Sequence, residues 1–286
     1  MRHPDVVIIM TDEERNAPPY EGDDLKAWRE EALPARHWFQ QNGVSFERHY
    51  TGSLACVPSR PTLFTGHYPD LHGVTQTDGL GKDASDSRMR WLRPGEVPTI
   101  GHWFKAAGYD THYDGKWHIT HADLINPDSG LPIPTNTENG EVIEENDKAY
   151  LEANPLEEFG YSGWLGPEPH GAGLANSGFI RDNLIAERVV KWLKDRYLRR
   201  ESGDAEALRP FLLVFDELLT KRGWSETVAK TSRTSRPARK PDSDCKCRSS
   251  SRAFPLNCPQ WMSFQWGFNG DRAHSPLNIY YHRATY

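Results

Sequence analysis

Two short runs that are apolar at every position constrain the fold of this chain most strongly. Val6–Met10 lies near the start, and Phe211–Phe215 lies far downstream. A strand with one exposed face alternates apolar and polar residues, whereas a strand covered on both faces is apolar throughout. Both runs therefore predict buried strands of a sheet that is covered on both sides.

Helical patterns separate the predicted strands. The predicted strands are 5–10, 44–50, 109–113 and 210–215, and the predicted helices are 34–41, 99–107 and 181–199. This alternation predicts an α/β fold with a largely parallel sheet flanked by helices on both faces. Asp12 follows the first strand, and sites in such folds lie at the carboxyl ends of strands. A turn-forming aspartate is the alternative for Asp12.

Charge divides the chain into two unlike parts. Residues 216–286 hold 12 Lys and Arg against 6 Asp and Glu, although the whole chain has a net charge of −6. Within that part, 230–252 consists mostly of Ser, Thr, Arg, Lys, Pro and Asp, which offer little to bury. We therefore expect one folded domain over 1–215 and a basic, Ser/Arg-rich, poorly ordered tail over 216–286.

The apolar runs and the cysteines also predict the cellular compartment of the protein. No apolar run approaches the roughly 20 residues of a membrane span, and Val6–Met10 is too short for a secretory signal. We expect a cytoplasmic protein with no membrane partner. The four cysteines, which are Cys56, Cys245, Cys247 and Cys258, show no spacing typical of a disulfide framework.

The tail allows two alternative interpretations. A zinc site would use Cys245, Cys247, Cys258, His274 and His282, but their spacing matches no common zinc motif. Basic residues among tryptophans and phenylalanines resemble a nucleic-acid surface, which is a weak signal without a recognisable fold. We expect neither zinc nor nucleic acid to bind.

The segment Cys56-Val57-Pro58-Ser59-Arg60 has the most distinctive chemistry. A lone cysteine is either a small buried hydrophobe or a nucleophile. Ser59 is predicted to cap a helix whose first turn holds the Arg60 cation, and such a helix start favours an anion. An unmodified thiol would need a histidine base. The candidates are His49, His67, His72 and His118.

The same segment resembles the signature of the type I sulfatases, the formylglycine-dependent branch of the alkaline phosphatase superfamily. Thr65-Gly66-x-Tyr68-Pro69 follows it in the family's order. Asp12, Gly108-Tyr109, Gly115–His118 and the tract 159–164 match in order as well, so the resemblance spans roughly 4–215. It implies a sulfatase-like fold that is incomplete at its C-terminus.

The resemblance implies a sulfuric ester hydrolase. Cys56 would be oxidised by a formylglycine-generating enzyme, and the hydrated aldehyde would attack the sulfur of a small-molecule sulfate monoester. One alternative is a phosphonate or phosphodiester hydrolase of the same superfamily. The other is a catalytically inactive, anion-binding fragment.

The resemblance also implies residue roles. Arg60 would hold the formylglycine hydroxyl, Lys116 would contact the sulfate, and His118 would bond the second hydroxyl. A divalent cation, Ca²⁺ with Mg²⁺ or Mn²⁺ as alternatives, would be held by Asp12, Glu13 and the group derived from Cys56. A solvated turn is the alternative for Lys116 and His118.

The sequence departs from the family after Phe215. Asp216-Glu217 stands where a Pro-His pair is expected, and no later Asp-Asn or Asp-His pair completes the metal site. We therefore expect a truncated or frame-shifted chain with weak metal binding and impaired activity. The acidic stretch 138–158 is interpreted as a solvated insertion or a substrate entrance, and His170 as a turn residue or a substrate contact.

Overall fold

The structure is a computed structural model that describes residues 3–12, 20–46, 48–79, 82–169, 175–217 and 277–283. For Glu217 and for 277–283 the description is of the backbone. Glu13 and His170 lie outside the described residues, as do the tail cysteines and the whole stretch 218–276, on which the prediction of a poorly ordered tail depends.

A four-stranded parallel sheet forms the centre of the fold. Its strands are β1 (Asp5–Thr11), β2 (Asp110–Gly115), β3 (Phe211–Glu217) and β4 (Leu277–Arg283), in the order β2-β3-β1-β4. Val6 pairs with Leu212, and Thr111 pairs with Leu212 on the other side of β3. The two apolar runs are thus neighbouring strands, which confirms the predicted parallel sheet.

Eight α-helices and one short 3₁₀ helix, Glu157–Phe159, are described. The α-helices are α1 (Asp23–Ala32), α2 (Pro34–Asn42), α3 (Cys56–Thr65), α4 (Pro69–His72), α5 (Ile100–Ala106), α6 (Glu144–Ala153), α7 (Gly178–Glu201) and α8 (Ala205–Leu208). The helices predicted from the sequence correspond to α2, α5 and α7. None of the described helices is long and apolar enough to cross a membrane.

Successive residues of each strand face opposite sides of the sheet, and the two sets form two separate hydrophobic cores. Val7, Ile9 and Leu213 face one side of the sheet, where Ile185 and Val189 of α7 cover them. On the opposite side the strands pack against α3 and α5 and against a set of buried aromatic rings. The members of that ring set include Phe64, Tyr113, Trp117 and Tyr161. Both faces are covered, as runs without polar residues require.

One predicted strand is absent from the described residues. In the described part of 44–50 the chain forms a loop, with Val44 and Phe46 exposed, because alternating residues find no neighbouring strand there. The acidic stretch 138–158, interpreted as a solvated insertion or a substrate entrance, contains α6, in which only Tyr150 is buried. The strand β4 was not predicted at all, and it pairs in parallel with the outer side of β1.

Candidate active site

The candidate site lies at the carboxyl edge of the sheet, where three chain segments meet. Met10 of β1 and Gly115 of β2 both pair with Asp216 of β3, so Asp12, Lys116 and Asp216 emerge at the same edge. Gly115 has a φ of +90°, and a Cβ there would lie 2.0 Å from the carbonyl oxygen of Asp216. Only glycine permits this close approach between β2 and β3.

Helix α3 brings Cys56 and Arg60 to this edge. The helix begins at Cys56 with Ala55 as its N-cap, so the prediction that Ser59 caps the helix was wrong. Arg60 consequently lies in the second turn rather than the first. Cys56 is half-buried, and its Sγ lies 3.7 Å from the Nζ of Lys116.

The Arg60 guanidinium is the centre of a buried polar network. Its Nε donates to the Trp117 carbonyl oxygen at 2.7 Å, and its Nη2 donates to the Lys116 carbonyl oxygen and to the Asp216 carboxylate. Its Nη1 lies 3.7 Å from Asp12 Oδ1. Burial alone would lower the pKa of Arg60, but the charges of Asp216 and Asp12, the Tyr113 oxygen and the hydrogen bond to Asp216 together outweigh it and raise the pKa. Arg60 therefore remains a cation that fixes the backbone of 116–117.

Lys116 connects the carboxylate to the cysteine. Its Nζ donates to Asp12 Oδ2 at 2.6 Å and also lies close to Cys56 Sγ. Burial of the lysine favours the neutral amine, yet the charge and hydrogen bond of Asp12, together with the Cys56 side chain, raise the pKa of Lys116 overall. A positive charge is thus held directly between the carboxylate of Asp12 and the side chain at position 56.

His118 continues the same segment in an unusual conformation. Its φ is +49°, which is rare for a residue with a Cβ. Its Nε2 lies 2.9 Å from Asp78 Oδ1. The structure thus brings Asp12, Cys56, Arg60 and Lys116 into one network, with His118 on the adjoining turn. Of the alternative base histidines, His72 is buried with its Nε2 3.0 Å from Thr62 Oγ1.

Two buried carboxyl groups near this network were missed as site residues. Asp216 is fully buried, and burial raises its pKa to about 6 although Arg60 opposes the rise. Glu168 is also buried, and its pKa is raised to about 8. The signal for Asp216 was present, because it ends a buried strand as Asp12 does. No sequence signal pointed to Glu168.

The described residues do not form a site for a divalent cation. Within the described ranges, no group of three His, Cys, Asp or Glu side chains could hold a metal ion. Asp12 is instead bonded to the Lys116 ammonium. A hard divalent cation usually takes six or more oxygen ligands. Of the predicted ligands, Asp12 and Cys56 are described and Glu13 is not.

The fold and site define a parallel α/β protein whose sheet carries a cysteine, a lysine and an arginine at its carboxyl edge. The family model for the sulfatases matches residues 4–215. The chain therefore belongs to the sulfatase family, a family of hydrolases that generally use a divalent cation and formylglycine. The match confirms the resemblance drawn from the motif at Cys56.

Curated relatives agree with this membership. The chain is 33% identical over 128 residues to the uncharacterized sulfatase YidJ of Escherichia coli, which covers 44% of this chain and 22% of that protein. It is 26% identical over 151 residues to human N-acetylglucosamine-6-sulfatase, covering 52% and 25% respectively. It is 32% identical over 118 residues to an ulvan-active sulfatase of Formosa agariphila, covering 41% and 20%. The chain thus aligns with about a quarter or less of these relatives.

Proposed function

We propose that this chain carries the nucleophile side of a formylglycine-dependent sulfatase site, with Cys56 as the residue that is converted. The observation that carries this proposal is the position of Cys56 at the start of α3, within 3.7 Å of the Lys116 ammonium. Formylglycine at this position would supply a hydrated aldehyde as the nucleophile for a sulfate ester. A formylglycine-generating enzyme is the proposed maturation partner.

The roles of the surrounding residues follow from their contacts. Lys116 would attract one sulfate oxygen, since its ammonium lies between Asp12 and position 56. Arg60 would hold the segment 116–117 by its two carbonyl oxygens and place its charge next to the site. His118 would donate or accept a proton at the second hydroxyl, with its ring oriented by Asp78. Two fixed cations suit a transferring sulfuryl group.

The metal requirement of the family would be met only in part by the residues described here. Asp12 would contribute one carboxylate, Glu13 is the proposed second, and Ca²⁺ is the proposed ion. Because Lys116 already neutralises Asp12, we propose that a cation binds weakly to this chain. Turnover by the 286-residue chain is proposed to be close to background for that reason.

The test uses the converted chain and a matched panel of substrates. An aryl sulfate, an aryl phosphate diester and an aryl phosphonate are assayed with added Ca²⁺, for the chain itself and for a version whose residues after Phe215 are replaced by a full sulfatase C-terminus. We expect sulfate turnover only in the second protein, abolished by Cys56→Ala. Faster turnover of the phosphorus esters would favour the phosphonate or phosphodiester hydrolase, and no turnover in either protein would favour the inactive anion-binding fragment.

A further inference from the structure

A buried carboxyl group accepts hydrogen bonds from the backbone of the segment that contains Lys116 and His118. Glu168 Oε1 accepts a hydrogen bond from the backbone amide of Trp117, and Oε2 accepts one from the amide of His118, each at 2.9 Å. Glu168 is only 7% exposed. It lies some fifty positions after Trp117 and His118 in the sequence, so the contact joins two distant parts of the chain. The two amides are consecutive, so both oxygens of one carboxyl group serve one peptide segment.

These hydrogen bonds matter because His118 has an unfavourable backbone conformation. His118 lies in the left-handed region, which is unfavourable for a residue with a Cβ and persists only where the surrounding structure holds it in place. From the other side, Arg60 binds the carbonyl oxygens of Lys116 and Trp117. The peptide units between Lys116 and His118 are therefore held by their carbonyls through Arg60 and by their amides through Glu168.

Glu168 is itself fixed by the rest of the fold. Its own amide donates to Asp123 Oδ1 at 2.6 Å. The carbonyl oxygens of Leu165 and Pro167 accept hydrogen bonds from Nη2 of Arg181, at 3.1 and 3.2 Å. Arg181 is fully buried in the first turn of α7. A rigid helix thus positions the loop that carries Glu168, and this loop positions the segment of the site.

We propose that Glu168 is a positioning residue for Lys116 and His118. It holds residue 118 in the left-handed conformation and thereby aims the Lys116 ammonium at Asp12 and at position 56. The proposal rests on the proposed function for its catalytic meaning, but the positioning itself can be measured without catalysis. The unconverted thiol of Cys56 serves as the probe, because a cation near its sulfur stabilises the negative charge that alkylation requires.

The experiment measures the alkylation rate of Cys56 by iodoacetamide in the full chain, with peptide mapping to separate it from the other cysteines. Glu168→Gln keeps the shape but presents an NH₂ group to one of the two amides. We expect Cys56 to react at about one third of the wild-type rate or more slowly, the scale expected when a unit charge moves by a few ångströms in a partly hydrated site. The Lys116→Met variant gives the reference alkylation rate of Cys56 in the absence of the lysine ammonium.

The matched control is Glu157→Gln, which removes an exposed carboxylate that bonds Lys105 and Asn154 and no residue of the site network, and we expect a wild-type rate. A second variant separates positioning from general packing. In Glu168→Gln/His118→Gly, glycine adopts the left-handed conformation without strain, so we expect the Cys56 rate to return towards wild type. General loss of packing at Glu168 would not be repaired by a glycine at 118.

The outcomes are distinct. A wild-type rate in folded Glu168→Gln would overturn the proposal, as would a slow rate that His118→Gly leaves unchanged. If Glu168→Gln does not fold, the double variant is decisive: recovery of the fold and of the Cys56 rate supports positioning, and failure to recover them contradicts it. None of these results depends on conversion to formylglycine or on turnover, so failure of the proposed function is recognised separately in the substrate assay.

Discussion

Replacing Arg60 by methionine is expected to destabilise the chain more than almost any other single change at this edge. The variant keeps most of the side-chain volume but leaves the Asp216 carboxyl fully buried without its cation. It also removes the donors to the carbonyl oxygens of Lys116 and Trp117. Breaking a buried pair by removing one partner costs about 3–5 kcal/mol.

The magnitude can be converted into a melting temperature. For a domain of about 150–250 residues, 1 kcal/mol corresponds to about 2–4 °C, so Arg60→Met is expected to lower the Tm by about 6–20 °C. The assay is thermal unfolding at neutral pH followed by circular dichroism. Lys148→Met is the control, because its ion pair with Glu152 is exposed, with side chains 75% and 69% accessible, and should change stability by less than about 1 kcal/mol.

A double-mutant cycle identifies the cause. In Arg60→Met/Asp216→Asn the uncompensated charge is gone, so the double variant should be more stable than the sum of the single changes by about 0.5–3 kcal/mol. Burial already raises the pKa of Asp216 to about 6 in the presence of Arg60. Loss of Arg60 raises that pKa further, so the variant should approach wild-type stability as the pH falls. A Tm shift below about 3 °C, or strict additivity, would refute the pairing of Arg60 with Asp216.

Three further predictions test other contacts. Burial raises the pKa of Glu168 from 4.5 to about 8, so the folded state binds this proton more tightly than the unfolded state does. The free energy of unfolding should therefore fall as the pH rises from 4.5 to 8, by up to about 1.4 kcal/mol per pH unit, and Glu168→Gln should flatten that slope in urea titrations. Gly115→Ala should destabilise the chain well beyond Gly108→Ala in the same assay, since both have positive φ but only at Gly115 would the new Cβ meet backbone; equal losses would contradict this. Calorimetric titration of Ca²⁺ should give a Kd weaker than about 10⁻³ M, whereas micromolar binding would show that Asp12 is free to ligate.

Much of the fold could be predicted because its strongest signals are local. The runs Val6–Met10 and Phe211–Phe215 are apolar throughout, and only a doubly covered sheet buries such strands. The helix α7 shows a continuous apolar stripe, so its existence was clear from periodicity. The run 44–50 shows how the same reasoning fails, since alternation describes a strand only when a neighbouring strand is present to pair with it.

The candidate site could be predicted to the extent that its residues lie in short motifs. Cys56, Arg60 and Lys116 belong to such motifs, and the structure brings them together with Asp12. Glu168 could not be found in this way, because its role depends on a contact between segments fifty residues apart. The start of α3 was also misplaced, since serine is a good cap in general but the chain here turns into the helix earlier, at Ala55.

The central claim is that Cys56 is the nucleophile position of a sulfatase site, and one mass measurement tests it directly. The chain is co-expressed with a formylglycine-generating enzyme, and its peptides are mapped. We expect a loss of about 18 Da at Cys56, the difference between a thiol and an aldehyde, with the other three cysteines unchanged. Pro58→Ala, which alters the motif beside the cysteine, should reduce the conversion. An unmodified Cys56 under conditions that convert a known sulfatase would contradict the account.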